Sequence, residues 1–199
     1  IEIGMALARV HRVTYVGELG WEVYVSADMA AHVFDTLWEA GQAHGLTLAG
    51  LHVMDSCRAE KAFRHFGHDI TCEDHVLEAG LGFAVKTAKP DFIGRDAVLR
   101  KKQAGLERRL VQFLLQEPEP LVYHNEPILR DGEIVGYLSS GAYGHTLGGA
   151  VGLGYVPCAG QSAEEVLASR YEIDVAGRRV AAQASLRPMY DPKSERVKV

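Results

Sequence analysis

The sequence has no apolar run approaching the ~20 residues needed to cross a bilayer, which excludes a helical membrane anchor within it. It has no basic excess. Its 21 Lys and Arg stand against 26 Asp and Glu, for a formal charge of −5. Nucleic acid or an anionic membrane surface is therefore not an expected partner. Cysteine is scarce: Cys57, Cys72 and Cys158 lie far apart, with no CxxC pair. That argues against a disulfide framework and suits a reducing compartment. No GxGxxG opens a helix, no GxxxxGK[ST] is present, and no GxSxG elbow occurs. Rossmann, P-loop and hydrolase chemistries thus lose their usual signatures. The opening residues "IEIGMALARV" lack the basic region and cleavage site of a signal peptide. They read as the middle of a strand, so the chain is expected to be a piece of a longer protein.

What is present is ordinary globular composition, 47% hydrophobic and 24% charged. Residues 7–16 and 21–25 are rich in Val, Thr, Tyr and Trp, which predicts two strands joined by a hairpin loop at 16–20. Ser26 stands at an N-cap position before "ADMAAHVFDTLWEAG", where Met29, Val33 and Leu37, with Phe34 and Trp38 one step over, form a helical stripe. Gly41 or Gly45 is expected to end that helix. A second helix is predicted over 50–63, closed by Gly67, and a short return strand over 77–86. Gly94 and Gly105 bracket a short basic helix. After Gly105 the texture changes to short strand-like runs, with Asp131-Gly132 a strong hairpin signal. The expected fold is α+β: antiparallel hairpin strands with helices, then an all-β small barrel or jelly roll.

Several constellations invite a chemical reading. The turn "VGELGWE" sets Glu18 between Gly17 and Gly20. A carboxylate there is either a solvated turn residue or an acceptor for the planar N–H edge of a pterin or guanine. In "DSCRAEK", Arg58 either pairs with Asp55 one helical turn away or, if buried, holds an anion or ring carbonyl. The cluster His65, His68, Asp69, Cys72, Glu73, Asp74 and His75 has metal-ligating side chains without metal-ligating spacing, and reads as polar loop. The basic stretch 86–109 reads as a solvated helix, or as an attraction for an anionic tail with Arg100, Lys101 and Lys102 at a ligand's mouth. The glycines of "SSGAYGHTLGGAVGLGY" suit barrel corners better than a phosphate cradle.

Taken in order, "YVGELGWEVYV", "DSCRAEKAFRHFGHDI", "LEAGLGFAVK", "KPDFIGRDAVL" and "SSGAYGHTLGGAVGLGYV" resemble the glycine-cleavage T-protein (aminomethyltransferase) family across nearly the whole chain. Within it, "RAEKAFRHFGHDI" and "PLVYHNEPILRDGEIVGYLSSGAYGHT" look most like the C-terminal part of FAD-dependent dimethylglycine and sarcosine dehydrogenases. The resemblance implies a folate-binding lobe over 1–88, incomplete at its start, a linker helix over 89–105 and a C-terminal barrel over 106–199. It implies tetrahydrofolate as cofactor, with Glu18, Arg58 and Tyr143 as binding residues. It places the catalytic Asp, the first lobe and any FAD site before residue 1, so no catalytic residue is assigned here and the piece alone is expected to be inactive. The expected partners are a small-molecule folate and the flavin domain of the parent chain, with an oligomer possible. The expected location is the cytoplasm, or the mitochondrial matrix in a eukaryote. The competing readings are a plain aminomethyltransferase, another folate-dependent demethylase, and a non-catalytic scaffold.

Overall fold

The computed structural model describes residues 1–198. They form two compact units: Ile1–Met54 with the tail from Lys193, and Asp55–Pro192.

In the first unit, β1 (Glu2–Ile3) pairs antiparallel with β2 (Ala6–Leu7), and β3 (Arg9–His11) with β4 (Glu22–Tyr24). The predicted strand pair is thus found, but both strands are shorter and the connecting loop runs over 12–21. Only Gly17 in that loop takes a left-handed backbone, at φ 74°. Its amide donates to the Thr14 hydroxyl at 3.0 Å. Ser26 occupies a cap position before the 3-10 turn Ala27–Met29 with extended backbone, yet its side chain makes no cap bond. Helix α1 (Ala30–Gln42) follows. Val33 sinks between Ile3, Ala6 and Ala8, with Met29, Val10 and Val25 packed around them. The rest of the predicted stripe does not reach this small core. Phe34, Leu37 and Trp38 instead line an open apolar groove of about 640 Å³ with Trp21, Leu46 and Leu48. The helix ends at Gln42 and the chain turns at Gly45, φ 73°.

The second unit begins within helix α2 (Leu51–Glu60). The predicted helix to 63 stops early because Ala62 adopts φ 51°. The Phe63 amide then bonds back to the Arg58 carbonyl at 2.9 Å and the Ala62 amide to that of Ala59 at 3.0 Å, a Schellman ending without its usual glycine. Gly67 therefore does not close the helix. The return strand predicted over 77–86 is absent. The amides of Ala79, Gly80 and Leu81 bond locally to His75, Leu77 and Val76, and a 3-10 turn covers Gly82–Ala84. With its donors committed to turns, the segment cannot join a ladder. Helix α3 (Arg95–Ala104) lies between Gly94 and Gly105, both with positive φ, as predicted.

The C-terminal part is a closed antiparallel barrel of β5 (Arg108–Leu115), β6 (Pro127–Arg130), β7 (Glu133–Gly144), β8 (Gly149–Pro157), β9 (Tyr171–Val175) and β10 (Arg178–Ser185). The spatial order is β10-β5-β8-β7-β6-β9. Val111, Phe113, Leu138, Val156, Ile173 and Val180 fill it, each fully buried, so the interior is core and not a channel. The β6–β7 turn is Asp131-Gly132, at φ 53° and 93°, the left-handed pair that the dipeptide predicts. Gly154 is required by packing: a Cβ there would sit 2.5 Å from Ile128 and 2.7 Å from the Tyr137 carbonyl. Helix α4 (Ala163–Ala168) starts with a full capping box between Ser162 and Glu165. No helix among the described residues is long and apolar enough to cross a membrane.

Candidate functional site

Helix α2 meets β7 through polar groups. The Ser56 hydroxyl donates to the Tyr143 carbonyl at 2.6 Å. Arg58, two residues on, is only 3% exposed. Its Nη1 donates to Asp69 Oδ2 at 2.8 Å and to the Phe63 carbonyl at 3.4 Å. Its Nη2 donates to the Ser140 hydroxyl at 3.0 Å and to Asp55 Oδ1 at 3.1 Å, and its Nε to the same Asp55 oxygen at 3.2 Å. Every N–H of the fork thus has an acceptor. Asp69, fully buried, also accepts from the His65 amide at 2.8 Å and from the Ser139 hydroxyl. This is a satisfied buried ion pair, which holds the segment 65–69 against the barrel wall. Asp55, with its side chain 37% exposed, is the one charged partner of Arg58 that faces water.

The next residues continue the buried polar layer. Glu60 Oε1 accepts from the Thr146 and Leu147 amides at 2.6 and 2.9 Å, fixing the β7–β8 turn. Gln112 on β5 donates to the Ala59 and Glu60 carbonyls at 2.7 and 3.0 Å and accepts from the Met189 amide at 2.9 Å. Lys61 Nζ lies 3.6 Å from Asp191 and 4.8 Å from the centre of the Tyr190 ring. So "RAEK" is a structural knot of charged residues, all buried.

The structure brings Arg58 and Tyr143 to one helix–strand junction, where the Tyr143 ring packs edge-on to His145 at 5.0 Å. Glu18 belongs to the first unit. Its Oε2 lies 3.5 Å from Arg196 Nε, with the Arg196 side chain largely exposed and the Glu18 side chain partly so. Gly20, paired with Gly17 in the sequence reading, has ordinary backbone and room for a Cβ at 3.7 Å, so only one glycine of that turn is conformationally required. Lys101, read as facing an anionic tail, is instead held by Glu78 at 2.8 Å and Glu107 at 3.1 Å. Burial works against the Glu78 charge, but hydrogen bonds from Lys101, the Glu107 amide and Arg108 hold its pKa below the usual range. Among the described residues no cluster of His, Cys, Asp and Glu is arranged to hold a metal.

Beside Asp69 a cavity of about 400 Å³ is lined by His68, Asp74, Arg108, Tyr137, Ser139 and Tyr155, among others. Arg108 closes one side, 2.7 Å from Asp74 and stacked 4.4 Å over the Tyr155 ring. The Tyr155 hydroxyl is sealed from solvent without a hydrogen-bond partner. Burial, then the Asp74 charge, push its pKa up to about 12, so it remains a neutral phenol. Sequence reasoning missed Asp69, Ser140 and Tyr155. The first lay inside a run of loop-like polar residues, and strand positions carry no sign of which hydroxyl a distant helix will meet.

Residues 1–89 match the GCVT N-terminal domain, and residues 108–191 match the glycine cleavage T-protein C-terminal barrel domain. The chain belongs to the glycine-cleavage T-protein family. Its fold resembles the crystal structure of glycine cleavage system aminomethyltransferase T from Bartonella henselae, with TM-score 0.78 and 26% identity over 92% of this chain and 50% of that one. It is 46% identical over 199 residues to 4-methylaminobutanoate oxidase (formaldehyde-forming) of Paenarthrobacter nicotinovorans, covering 100% of this chain and 24% of the oxidase. It is 36% identical over 196 residues to human mitochondrial sarcosine dehydrogenase, covering 96% of this chain and 21% of that protein. The chain therefore spans about a quarter or less of these two relatives.

Proposed function

We propose that this T-protein-family chain is the tetrahydrofolate-binding part of a flavin-dependent oxidoreductase that acts on an N-methylated amine. The observation that carries the reading is the unbroken similarity of all 199 residues to an N-methyl amine oxidase, with a sarcosine dehydrogenase next to it. The folate lobe corresponds to residues 1–88, the connecting helix to 89–105 and the barrel to 106–199. The flavin, and the group that activates the one-carbon transfer, belong to the rest of the parent.

Three residues of the chain would meet a bound pterin. Glu18 suits the role: its carboxylate is water-accessible and sits in a loop bent by Gly17. Its carboxylate would accept from the 2-amino and N3–H edge in exchange for its contact with Arg196. Arg58 suits it only by exchange. Its fork is saturated, so a ring acceptor reaches it by replacing the half-exposed Asp55. Tyr143 fixes the junction through its carbonyl, leaving the ring to pack against the ligand. When bound, tetrahydrofolate supplies the acceptor for the one-carbon unit. The chain's own part is binding and orientation, which lower the barrier by proximity and not by acid–base work.

The scaffold alternative would gain if Arg58 paired only with Asp55 at the surface. Its burial and its bonds to Asp69 and Ser140 run against that. The aminomethyltransferase alternative draws on the structural likeness at TM-score 0.78. The test is product analysis on the parent protein turning over an N-methyl amine. The proposal expects free formaldehyde to fall, and folate-borne one-carbon product to rise, when tetrahydrofolate is added. Formaldehyde release unaffected by folate would overturn it, and a parent without flavin absorbance would favour the aminomethyltransferase.

A further inference from the structure

A second cavity, of about 570 Å³, lies between the 82–87 turn, the end of α3 and the loop after β8. Its charged lining residues are Lys102 and Arg109, both cationic; no carboxylate lines it. Thr87 and Gln161 add neutral polar groups, and Gly105 and Gly160 expose backbone there. Both glycines have positive φ, 86° and 72°, with no atom within 4 Å of where a Cβ would be.

Arg109 is the decisive residue. Its Nε is buried and has no hydrogen-bond partner. Among the described residues it forms no ion pair, and its charge is felt by the Cys158 thiol and by Glu164. Its neighbours on the chain behave differently. Arg108 is held by Asp74 and Glu78, and Lys101 by Glu78 and Glu107. Asp74, Glu78 and Glu107 are thereby engaged elsewhere. Glu164 feels the Arg109 charge only as the least of the causes that lower its pKa, after its own backbone amide and Ser162. The sealed Nε is out of a ligand's reach, but an oxyanion at the Nη groups would set a counter-charge beside a guanidinium that forms no ion pair among the described residues. The Nη groups suit a planar or tetrahedral oxyanion, and the Lys102 ammonium in the same lining adds a point charge. The volume is that of a small-molecule site.

We propose that this cavity is a binding site for a small oxyanion, a ligand presenting a carboxylate or phosphate group to Arg109 and Lys102. It is independent of the pterin reading and uses none of that reading's residues. The basic stretch noted in the sequence thus divides by partner: Lys101 is structural, and Lys102 with Arg109 faces a ligand.

The test is an amide-resolved NMR titration of the full chain with inorganic phosphate in one arm and glutarate in the other. Saturable shifts of the Gly105, Gly160 and Gln161 amides are expected with at least one anion, and the stronger arm names the ligand class. Arg109→Gln is expected to weaken that binding tenfold or more and Lys102→Gln severalfold, while Arg100→Gln, outside the lining, leaves it unchanged. Arg109→Lys keeps the charge without the fork and serves if Arg109→Gln does not fold; it is expected to bind more weakly than the parent chain. No saturable shift with either anion overturns the proposal. So does equal affinity in the Lys102→Gln and Arg109 variants.

Discussion

Asp69→Asn removes one charge from the buried pair that ties 65–69 to Arg58 and the barrel wall. The oxygen–nitrogen distance is 2.8 Å and the side chains are 0% and 4% exposed. At an effective dielectric near 20 the Coulomb attraction is about 6 kcal/mol. Part of this only offsets the cost of burying both ions, so the measured loss is expected at about 3–5 kcal/mol, the range for leaving one buried charge without its partner. The amide keeps its oxygen for Ser139 but turns its NH2 toward both Arg58 and the His65 amide, which share Oδ2 of the carboxylate. Arg58→Met alone strands the Asp69 carboxylate and is expected to cost a similar amount. The double variant loses both charges and recovers much of the stability, so the coupling exceeds about 2 kcal/mol. Urea unfolding followed by circular dichroism measures this. Tryptophan fluorescence does not, because Trp21 and Trp38 both lie in the first unit. Additive single effects, or a loss under about 1 kcal/mol for Asp69→Asn, would refute the reasoning.

Other perturbations have expected outcomes. Glu78 has a folded pKa below 4.5, so its contribution is complete above pH 4.5 and is lost as pH falls through the lowered value; Glu78→Gln should flatten the acid limb of stability against pH, and an unchanged limb would contradict the network. Gly144→Ala places a Cβ 2.8 Å from Val151 and 3.1 Å from the Glu60 side chain. It should cost about 1–3 kcal/mol in denaturant melts and shift the Thr146 and Leu147 amides that Glu60 holds. Tyr155→Phe deletes a buried hydroxyl that has no partner. Stability should stay level or rise by up to about 1 kcal/mol, and a loss above that would mean the hydroxyl is bonded in solution.

Local signals in the sequence carried far into the structure where the backbone alone decides. Asp131-Gly132 names its own turn, and Gly94 and Gly105 bracket a helix, because positive φ is a property of one residue. The short apolar strands after Gly105, β5 and β8 buried along most of their length, close into a barrel that leaves no strand edge unpaired. The failures came where a distant partner decides. Residues 77–86 carry strand-like side chains, but their amides are consumed by turns and Arg64 holds the Ala79 carbonyl at 3.0 Å. Phe34 and Trp38 have helical spacing, yet the small core of the first unit has room only for Val33 and its neighbours. At the site, Arg58 stood out in the sequence as a residue that matters if buried. Its partners Asp69 and Ser140, 11 and 82 residues away, have no local signal at all.

The proposed tetrahydrofolate binding is tested most directly by calorimetric titration of the T-protein-family protein with tetrahydrofolate, with Glu18 intact and with it substituted. Loss of a charge-assisted pair of hydrogen bonds is worth about 1.5–3 kcal/mol, or roughly ten- to a hundredfold in affinity. Glu18→Gln is predicted to weaken binding by that factor, and loss of the partly exposed ion pair with Arg196 to cost no more than about 1 kcal/mol of stability. Tetrahydrofolate binding of equal strength in the two proteins would contradict the account.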